Sequence, residues 1–213
     1  YGFNGNQLGP SGELEIIKGK VQPSPYNSSA FAKNKLFIDL EELTKDKYGK
    51  ILSVETFNNV TKIPETGEKN YDLTDFNEAY KTYNTAFKAK VTKGQPEALA
   101  LNKEFNQFLA KHDERLTDEG LFHIFSNKYG TDRFEEWPNE EDKNLITDIH
   151  RGDTDDVMER YYDLIDANEN EINQYKFEQF IATKQIKENK KWRDSQGFTY
   201  INDLLVGCSK MDR

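Results

Sequence analysis

The stretch Val157–Ile181, VMERYYDLIDANENEINQYKFEQFI, carries the most informative pattern in this chain. Each half places apolar side chains at helical spacing, which predicts two amphipathic helices. The two apolar faces consist of Val157, Met158, Tyr161, Tyr162 and Ile165, and of Phe177, Phe180 and Ile181. Between them, Asp166, Asn168 and Asn170 put short oxygen-bearing side chains at alternate positions, as a tight loop around a hard cation requires. The pattern therefore predicts a helix, a polar loop and a second helix.

The segment Tyr162–Phe180 resembles the EF-hand family. In this resemblance Asp166, Asn168 and Asn170 occupy the first, third and fifth positions of the calcium-binding loop, and Ile172 is the central apolar residue. The resemblance implies a helix-loop-helix fold and oxygen ligands for calcium. It also implies a second hand that packs against the first.

The segment departs from the family pattern at two places. The loop glycine is missing, and the twelfth position holds Phe177, or Lys176 if the alignment is gapped, where the family has a glutamate. Two interpretations follow: a calcium loop of unusual length that Glu178 completes, or a degenerate hand that packs without metal and uses Asp166 as a cap. A third interpretation is a chance cluster of loop-forming residues. The predicted metal ligands are Asp166, Asn168, Asn170 and Glu178.

Two other segments are candidates for the partner hand. Residues 121–137, LFHIFSNKYGTDRFEEW, combine an apolar helix end with a polar loop and an acidic pair. Residues 192–205, WRDSQGFTYINDLL, offer two aspartates around Gly197. The first segment is preferred, because a helix opening at Thr117 resembles a normal entering helix.

The chain divides into a loose front and a helical body. Residues 1–71 are predicted to form an extended, loop-rich N-terminal arm with short elements, because Gly, Pro, Asn and Ser are frequent there. Residues 72–213 are predicted to form a helical domain. Its helices are indicated by apolar residues every three or four positions, as in Phe76, Tyr80, Tyr83 and Phe87. The predicted fold class is mainly α, with an EF-hand-like body.

Charge and cysteine content limit the partners and the compartment. The net charge of −9 would repel phosphate backbones, so a nucleic-acid partner is not expected. The single cysteine, Cys208, cannot form an internal disulfide, which favours a reducing intracellular compartment. No apolar run reaches the ~20 residues of a transmembrane span. Because the chain starts at Tyr1, removal of a mitochondrial targeting segment is one interpretation.

No catalytic motif is evident in the sequence. His112, His123 and His150 do not have metal-ligand spacing, and neither a nucleophile elbow nor a phosphate-binding glycine motif is present. The leading hypothesis is therefore a non-catalytic accessory or scaffold subunit that contacts other protein subunits. A calcium-responsive binding protein is the alternative, and an enzyme comes third. No cofactor is expected unless calcium binds at the EF-hand-like loop.

Overall fold

The structure, a computed structural model, describes residues 5–22, 24–62, 73–152, 154–202 and 212. In these residues six α-helices are formed: α1 (Val54–Thr61), α2 (Leu73–Thr92), α3 (Pro96–Tyr129), α4 (Glu140–Arg151), α5 (Asp155–Ala167) and α6 (Glu169–Ser195). The strands are short: β1 (Gly5–Leu8), β2 (Gly12–Leu14), β3 (Ile16–Ile17), β4 (Lys20–Val21), β5 (Ser28–Lys33) and β6 (Thr199–Asn202). The prediction of a mainly helical fold is confirmed. Among the helices of these ranges, none has the length and apolar character that crossing a bilayer requires.

The strands form three separate pairs. β1 and β6 are parallel, with Gly5 opposite Thr199, and β3 and β4 form an antiparallel hairpin. β2 and β5 are antiparallel, with a shift in register after Gly12. A β-carbon added to Gly12 would lie 1.8 Å from the carbonyl oxygen of Ser29. Only glycine therefore allows the two backbones to approach so closely.

The chain forms two compact units, and the predicted arm of residues 1–71 is divided between them. The first unit consists of Tyr1–Lys35 and His112–Arg213, and the second of Leu36–Lys111. In the first unit β5 packs against α6 and buries Ala32. The front of the chain therefore contributes to both units: Ala32 and Leu43 are buried there, whereas Phe31 and Phe37 are exposed.

The second unit has a core of large side chains from its turns and helices. Leu43, Tyr48 and Ile51 are fully buried in the region that the sequence assigned to the arm. On α2, Tyr80 and Tyr83 are also fully buried, and their rings meet edge to face at 5.5 Å. The aromatic periodicity that predicted this helix thus marks its buried face.

The core of the first unit is built around Trp137. The indole is 2% exposed, and its Nε1 donates a hydrogen bond to the carbonyl oxygen of Thr131 at 2.9 Å. α3 runs without a break through Gly120, where an added β-carbon would lie 3.4 Å from the side chain of Ile172. The glycine therefore allows α6 to pack closely on α3. The buried members of this core are Leu121, Phe122, Phe125, Trp137, Leu145, Tyr161 and Ile172.

The helix-loop-helix interpretation of Tyr162–Phe180 is wrong, because the loop is not formed. α5 ends at Ala167 and α6 begins at Glu169, so that only Asn168 lies between them, with φ −120° and ψ 23°. Asn170 and Glu178 both lie on α6, which separates them by about 12 Å along the helix axis. Ligands of one calcium ion lie within about 5 Å of each other. The four predicted ligands, Asp166, Asn168, Asn170 and Glu178, therefore do not converge.

The two candidate partner hands are also not formed. Residues 121–137 contain the end of α3, a turn and the short 3₁₀ helix Phe134–Glu136, and residues 192–202 contain the end of α6 and β6, while residues 203–205 of the second candidate lie outside the described residues. Within the described ranges, no group of three or more His, Cys, Asp or Glu side chains is arranged to hold a metal ion. Cys208 lies outside the described residues.

Candidate functional site

The first unit contains a cluster of buried ionisable side chains between β2, α3 and α6. Glu13 comes from β2, Glu119 and His123 from α3, and Tyr175 and Glu178 from α6. Residues four apart on a helix share one face, so Glu119 and His123 point in the same direction. Polar groups in a protein interior require partners, and each of these side chains has at least one.

The centre of the cluster is an ion pair between Glu13 and His123. His123 Nε2 lies 3.1 Å from Glu13 Oε2. Burial alone would raise the pKa of Glu13, but the charge and hydrogen bond of His123 outweigh burial and hold this pKa below its usual value. Burial would lower the pKa of His123, but Glu13 and Asp132 raise it above its usual value. Both groups are therefore charged at moderately acidic pH.

Glu119 and Tyr175 form a second contact beside this pair. Tyr175 Oη donates a hydrogen bond to Glu119 Oε2 at 2.9 Å, and Arg115 donates another to Oε1. The ring centroid of Tyr175 lies 4.7 Å from that of His123. Burial raises the pKa of Glu119 in spite of Arg115, and burial together with Glu13 and Glu119 raises the pKa of Tyr175 well above its usual value.

Glu178, a predicted calcium ligand, is instead buried against the front of the chain. Its side chain accepts a hydrogen bond from Gln174 Nε2 at 2.8 Å, and its Oε2 lies 3.7 Å from Lys35 Nζ. Burial raises its pKa, although Lys35 and Gln174 act in the opposite direction. Lys176, which the gapped alignment placed at the twelfth position, donates to Asp113 at 2.7 Å. These side chains tie α6 to its neighbours.

A further buried carboxylate joins three helices of the first unit. Asp142, on α4, accepts hydrogen bonds from Lys128 Nζ at 2.8 Å, from Tyr129 Oη at 2.5 Å and from Arg160 on α5. Burial would raise the pKa of Asp142, but these three donors lower it below its usual value. Asp142 is therefore a charged structural link between α3, α4 and α5.

The surface at β5 combines exposed aromatic side chains with a firmly held backbone. Tyr26 is 62% exposed and Phe31 is 57% exposed, whereas Ser28, Ser29 and Ala32 are buried. We call residues 26–33 the β5 edge. Its backbone is held by β2 on one side, where Glu15 N donates to the carbonyl oxygen of Asn27 at 3.1 Å. On the other side it is held by side chains from α6 and from the C-terminal region.

Two side chains make these contacts with the β5 edge. Gln179 Oε1 accepts from Lys33 N at 2.8 Å, and its Nε2 donates to Lys33 O at 3.0 Å. The carboxylate of Asp212 accepts from Ala30 N at 2.7 Å and from Ser29 Oγ. No role was predicted for the β5 edge from sequence. The available signal was two aromatic residues flanked by small ones, SPYNSSAFA.

Comparison with known proteins identifies the family. A family model described as 4-alpha-glucanotransferase matches residues 2–211. Among solved structures, the chain is similar to an amylomaltase from Streptococcus agalactiae in complex with acarbose, with 20% sequence identity and a TM-score of 0.66. The alignment covers 94% of this chain but only 36% of that amylomaltase, so the chain spans about a third of its length. The chain matches no curated protein.

The family match overturns several predictions from sequence. It covers nearly the whole chain, including Tyr162–Phe180, so the resemblance to EF-hands is wrong. For the same reason, the hypotheses of a non-catalytic scaffold subunit and of a calcium-responsive binding protein are wrong. Enzyme, ranked third from sequence, is the class that the match supports. Because the family model matches far more than half of its residues, this chain belongs to the 4-alpha-glucanotransferase family.

Proposed function

We propose that this chain acts as part of a 4-alpha-glucanotransferase and that its β5 edge contacts the α-glucan. The observation that carries the proposal is the family match over residues 2–211. In such a transfer, one glycosidic C1–O bond of the donor breaks and one C1–O bond to an acceptor hydroxyl at C4 forms. The hydroxyl proton passes to the sugar oxygen that leaves, so the reaction consumes no water and changes no oxidation state.

The buried carboxylates of the first unit are better suited to holding the fold than to this chemistry. Glycosyl transfer through carboxylates requires two of them on either side of a bound sugar, one protonated and one ionised. Glu13, Glu119 and Glu178 are instead engaged with His123, Tyr175 and Lys35 in the protein interior. We therefore assign these carboxylates a structural role.

The β5 edge has the properties expected of a glucan contact. The C–H faces of a glucose ring are apolar and pack against flat aromatic rings, and exposed aromatic side chains on a soluble protein often mark binding sites. Tyr26 and Phe31 are such side chains. Because the backbone between them is held on both sides, contact with a sugar costs little additional ordering.

The binding test uses maltoheptaose and isothermal calorimetry. We expect Tyr26→Ala and Phe31→Ala each to weaken binding about tenfold, because each removes one aromatic contact of about 1.4 kcal/mol. Trp192→Ala is the matched control, since Trp192 is 59% exposed on the same unit but lies at the end of α6. If all three substitutions weaken maltoheptaose binding equally, or if none weakens it, the β5 edge is not the glucan contact.

The activity test uses maltotriose as both donor and acceptor. A glucanotransferase produces glucose together with longer oligosaccharides, while the total number of reducing ends stays constant. Chromatography of the products, combined with a reducing-end assay, checks this. A rise in reducing ends in proportion to bond cleavage would indicate a hydrolase instead.

The transfer balances without a cofactor, so the proposal includes none. Contacts with other protein subunits and a reducing intracellular compartment, with mitochondria as one option, stay predictions from the sequence.

A further inference from the structure

We propose that Gln179 is a positioning residue that holds the β5 edge in the shape that contacts the α-glucan. This inference rests on the function proposed above. Its basis is the double hydrogen bond between the Gln179 carboxamide and the backbone of Lys33, at 2.8 Å and 3.0 Å. One side chain from α6 thereby satisfies both the N–H and the carbonyl oxygen of the last residue of β5.

The Gln179 carboxamide takes the place of a neighbouring strand. In an antiparallel pair, residues in hydrogen-bonded register exchange two N–H···O bonds through their backbones. Lys33 makes the same two bonds with a side chain, on the side of β5 that faces α6. The next residue, Asn34, turns its N–H in the opposite direction, toward the carbonyl oxygen of Ser11 at 3.3 Å. The end of β5 is therefore fixed between β2 and α6.

The backbone before Lys33 is held by two other side chains, those of Ser29 and Asp212. Ser29 Oγ accepts hydrogen bonds from Phe31 N at 3.1 Å and from Ala32 N at 2.8 Å, and Asp212 accepts from Ala30 N at 2.7 Å. Phe31, the exposed aromatic residue, thus lies between two anchors. Loss of either anchor should allow its Cα to shift, which would change how the ring meets a sugar.

Position 179 requires an uncharged group that can both donate and accept a hydrogen bond. Gln179 is 4% exposed and follows Glu178 in the sequence, whose buried carboxylate pairs with Lys35. A carboxylate at position 179 could accept from Lys33 N but could not donate to Lys33 O. It would also place a second negative charge beside Glu178 in the interior. A protonated carboxyl group, in contrast, keeps one donor and one acceptor, as the amide does.

The difference between an ionised and a protonated carboxyl group at position 179 provides the test. Gln179→Glu is titrated with maltoheptaose at about pH 5 and about pH 8. Burial disfavours the charged form of a carboxyl group, so we expect the new group to be protonated at the lower pH and the affinity to lie within about twofold of that of the unmodified protein. At the higher pH the group is ionised, and we expect binding about tenfold weaker. The unmodified protein supplies the baseline for titration of the other charged groups of this region, which are Lys33 at the contact itself and Glu178 with its neighbours Lys35, Glu13 and His123.

Gln174→Glu is the matched control, because Gln174 lies on the same helix but donates to Glu178 rather than to β5. Hydrogen exchange of two backbone amides in Gln179→Ala, those of Lys33 and Ile181, separates local loosening of β5 from unfolding. If Gln179 only positions the β5 edge, exchange should become faster at Lys33 and stay unchanged at Ile181. Equal affinity of Gln179→Glu and the unmodified protein at the higher pH would overturn the role of Gln179 while leaving the proposed function intact. Lack of maltoheptaose binding by the unmodified protein would overturn both.

Discussion

Nε2 of His123 on α3 lies 3.1 Å from Oε2 of Glu13 on β2, in the interior of the first unit. This contact joins the front of the chain to a helix more than 100 residues away, and it shifts the pKa of each partner in the direction that favours the charged form. Because the two side chains are only 21% and 18% exposed, solvent screens their charges less than it would at the surface. The stability of the first unit should therefore depend on pH.

The first prediction concerns that pH dependence. The folded-state pKa of His123 is raised above its usual 6.5, so its contribution to stability is fully present below pH 6.5 and is lost as the pH rises through the folded-state value. The pKa of Glu13 is lowered from 4.5, so its contribution is present above pH 4.5 and is lost as the pH falls through the folded-state value. Urea unfolding from pH 5 to 9 should show the decline above neutrality.

Substitutions separate the pair from other titrating groups. In His123→Gln the decline in the free energy of unfolding above neutral pH should largely disappear. Glu13→Ala should cost about 3–5 kcal/mol, because it leaves the charge of His123 buried without its partner. An unchanged pH profile in His123→Gln would show that other groups are responsible for the dependence.

The second prediction concerns the close approach of β2 and β5 at Gly12. Gly12→Ala should destabilise the protein by about 1–3 kcal/mol or more, because the new methyl group would overlap the carbonyl oxygen of Ser29 and force the strands apart. Gly9→Ala is the control, since a β-carbon at Gly9 would meet nothing within 4 Å. Thermal unfolding of the two variants measures the difference, and similar melting temperatures would argue against the close approach at Gly12.

The third prediction concerns Glu178. Its pKa is raised by burial, so the folded state binds this proton more tightly, and stability falls as the pH rises from 4.5 through the folded-state value. Glu178→Gln should therefore be equally stable or about 1 kcal/mol more stable at neutral pH, since Lys35 can turn to solvent. It should also flatten the pH profile in the acidic range.

Glu178→Ala provides the comparison for this substitution. It leaves a cavity and removes the acceptor for Gln174, so we expect a lower free energy of unfolding than in the unmodified protein. A marked loss of stability in Glu178→Gln at neutral pH would mean that the contact with Lys35 contributes more than the burial of the charge costs.

The helices were predictable from sequence because aromatic residues recur at helical spacing along their buried faces. Tyr80, Tyr83 and Phe87 mark the buried face of α2, and their spacing alone is sufficient to locate that helix. Gly120 shows the limit of this reasoning. Glycine disfavours the interior of a helix, whereas Gly120 lies inside the continuous α3 and allows α6 to pack closely at Ile172.

The error at Asp166, Asn168 and Asn170 has a physical cause. Asp and Asn side chains favour loops and also ligate cations, but both are tolerated in helices where the surrounding residues pack well. Here one residue, Asn168, interrupts the helical path. The apolar positions on both sides form two separate helices, so that Asp166 lies on α5, Asn170 lies on α6 and no loop is left for their oxygens to line.

The β5 edge could not be predicted because its partners are distant in sequence. Gln179 contacts Lys33 across 146 positions of the chain, and Asp212 contacts Ala30 across 182. Local spacing cannot show such pairs. A polar residue within an apolar run of a helix, as Gln179 between Phe177 and Phe180, was a second available signal, because a buried amide needs a hydrogen-bond partner.

The pairing of β1 with β6 has a consequence for how the chain folds. Gly5 lies beside Thr199, so this small parallel sheet closes a loop that contains almost the entire described chain. Closing a flexible loop of that length costs about 5 kcal/mol of chain entropy, and an isolated pair of short strands is at best marginally stable in water. We therefore expect β1 and β6 to associate last in refolding, after the helices have collapsed and shortened the effective distance between them.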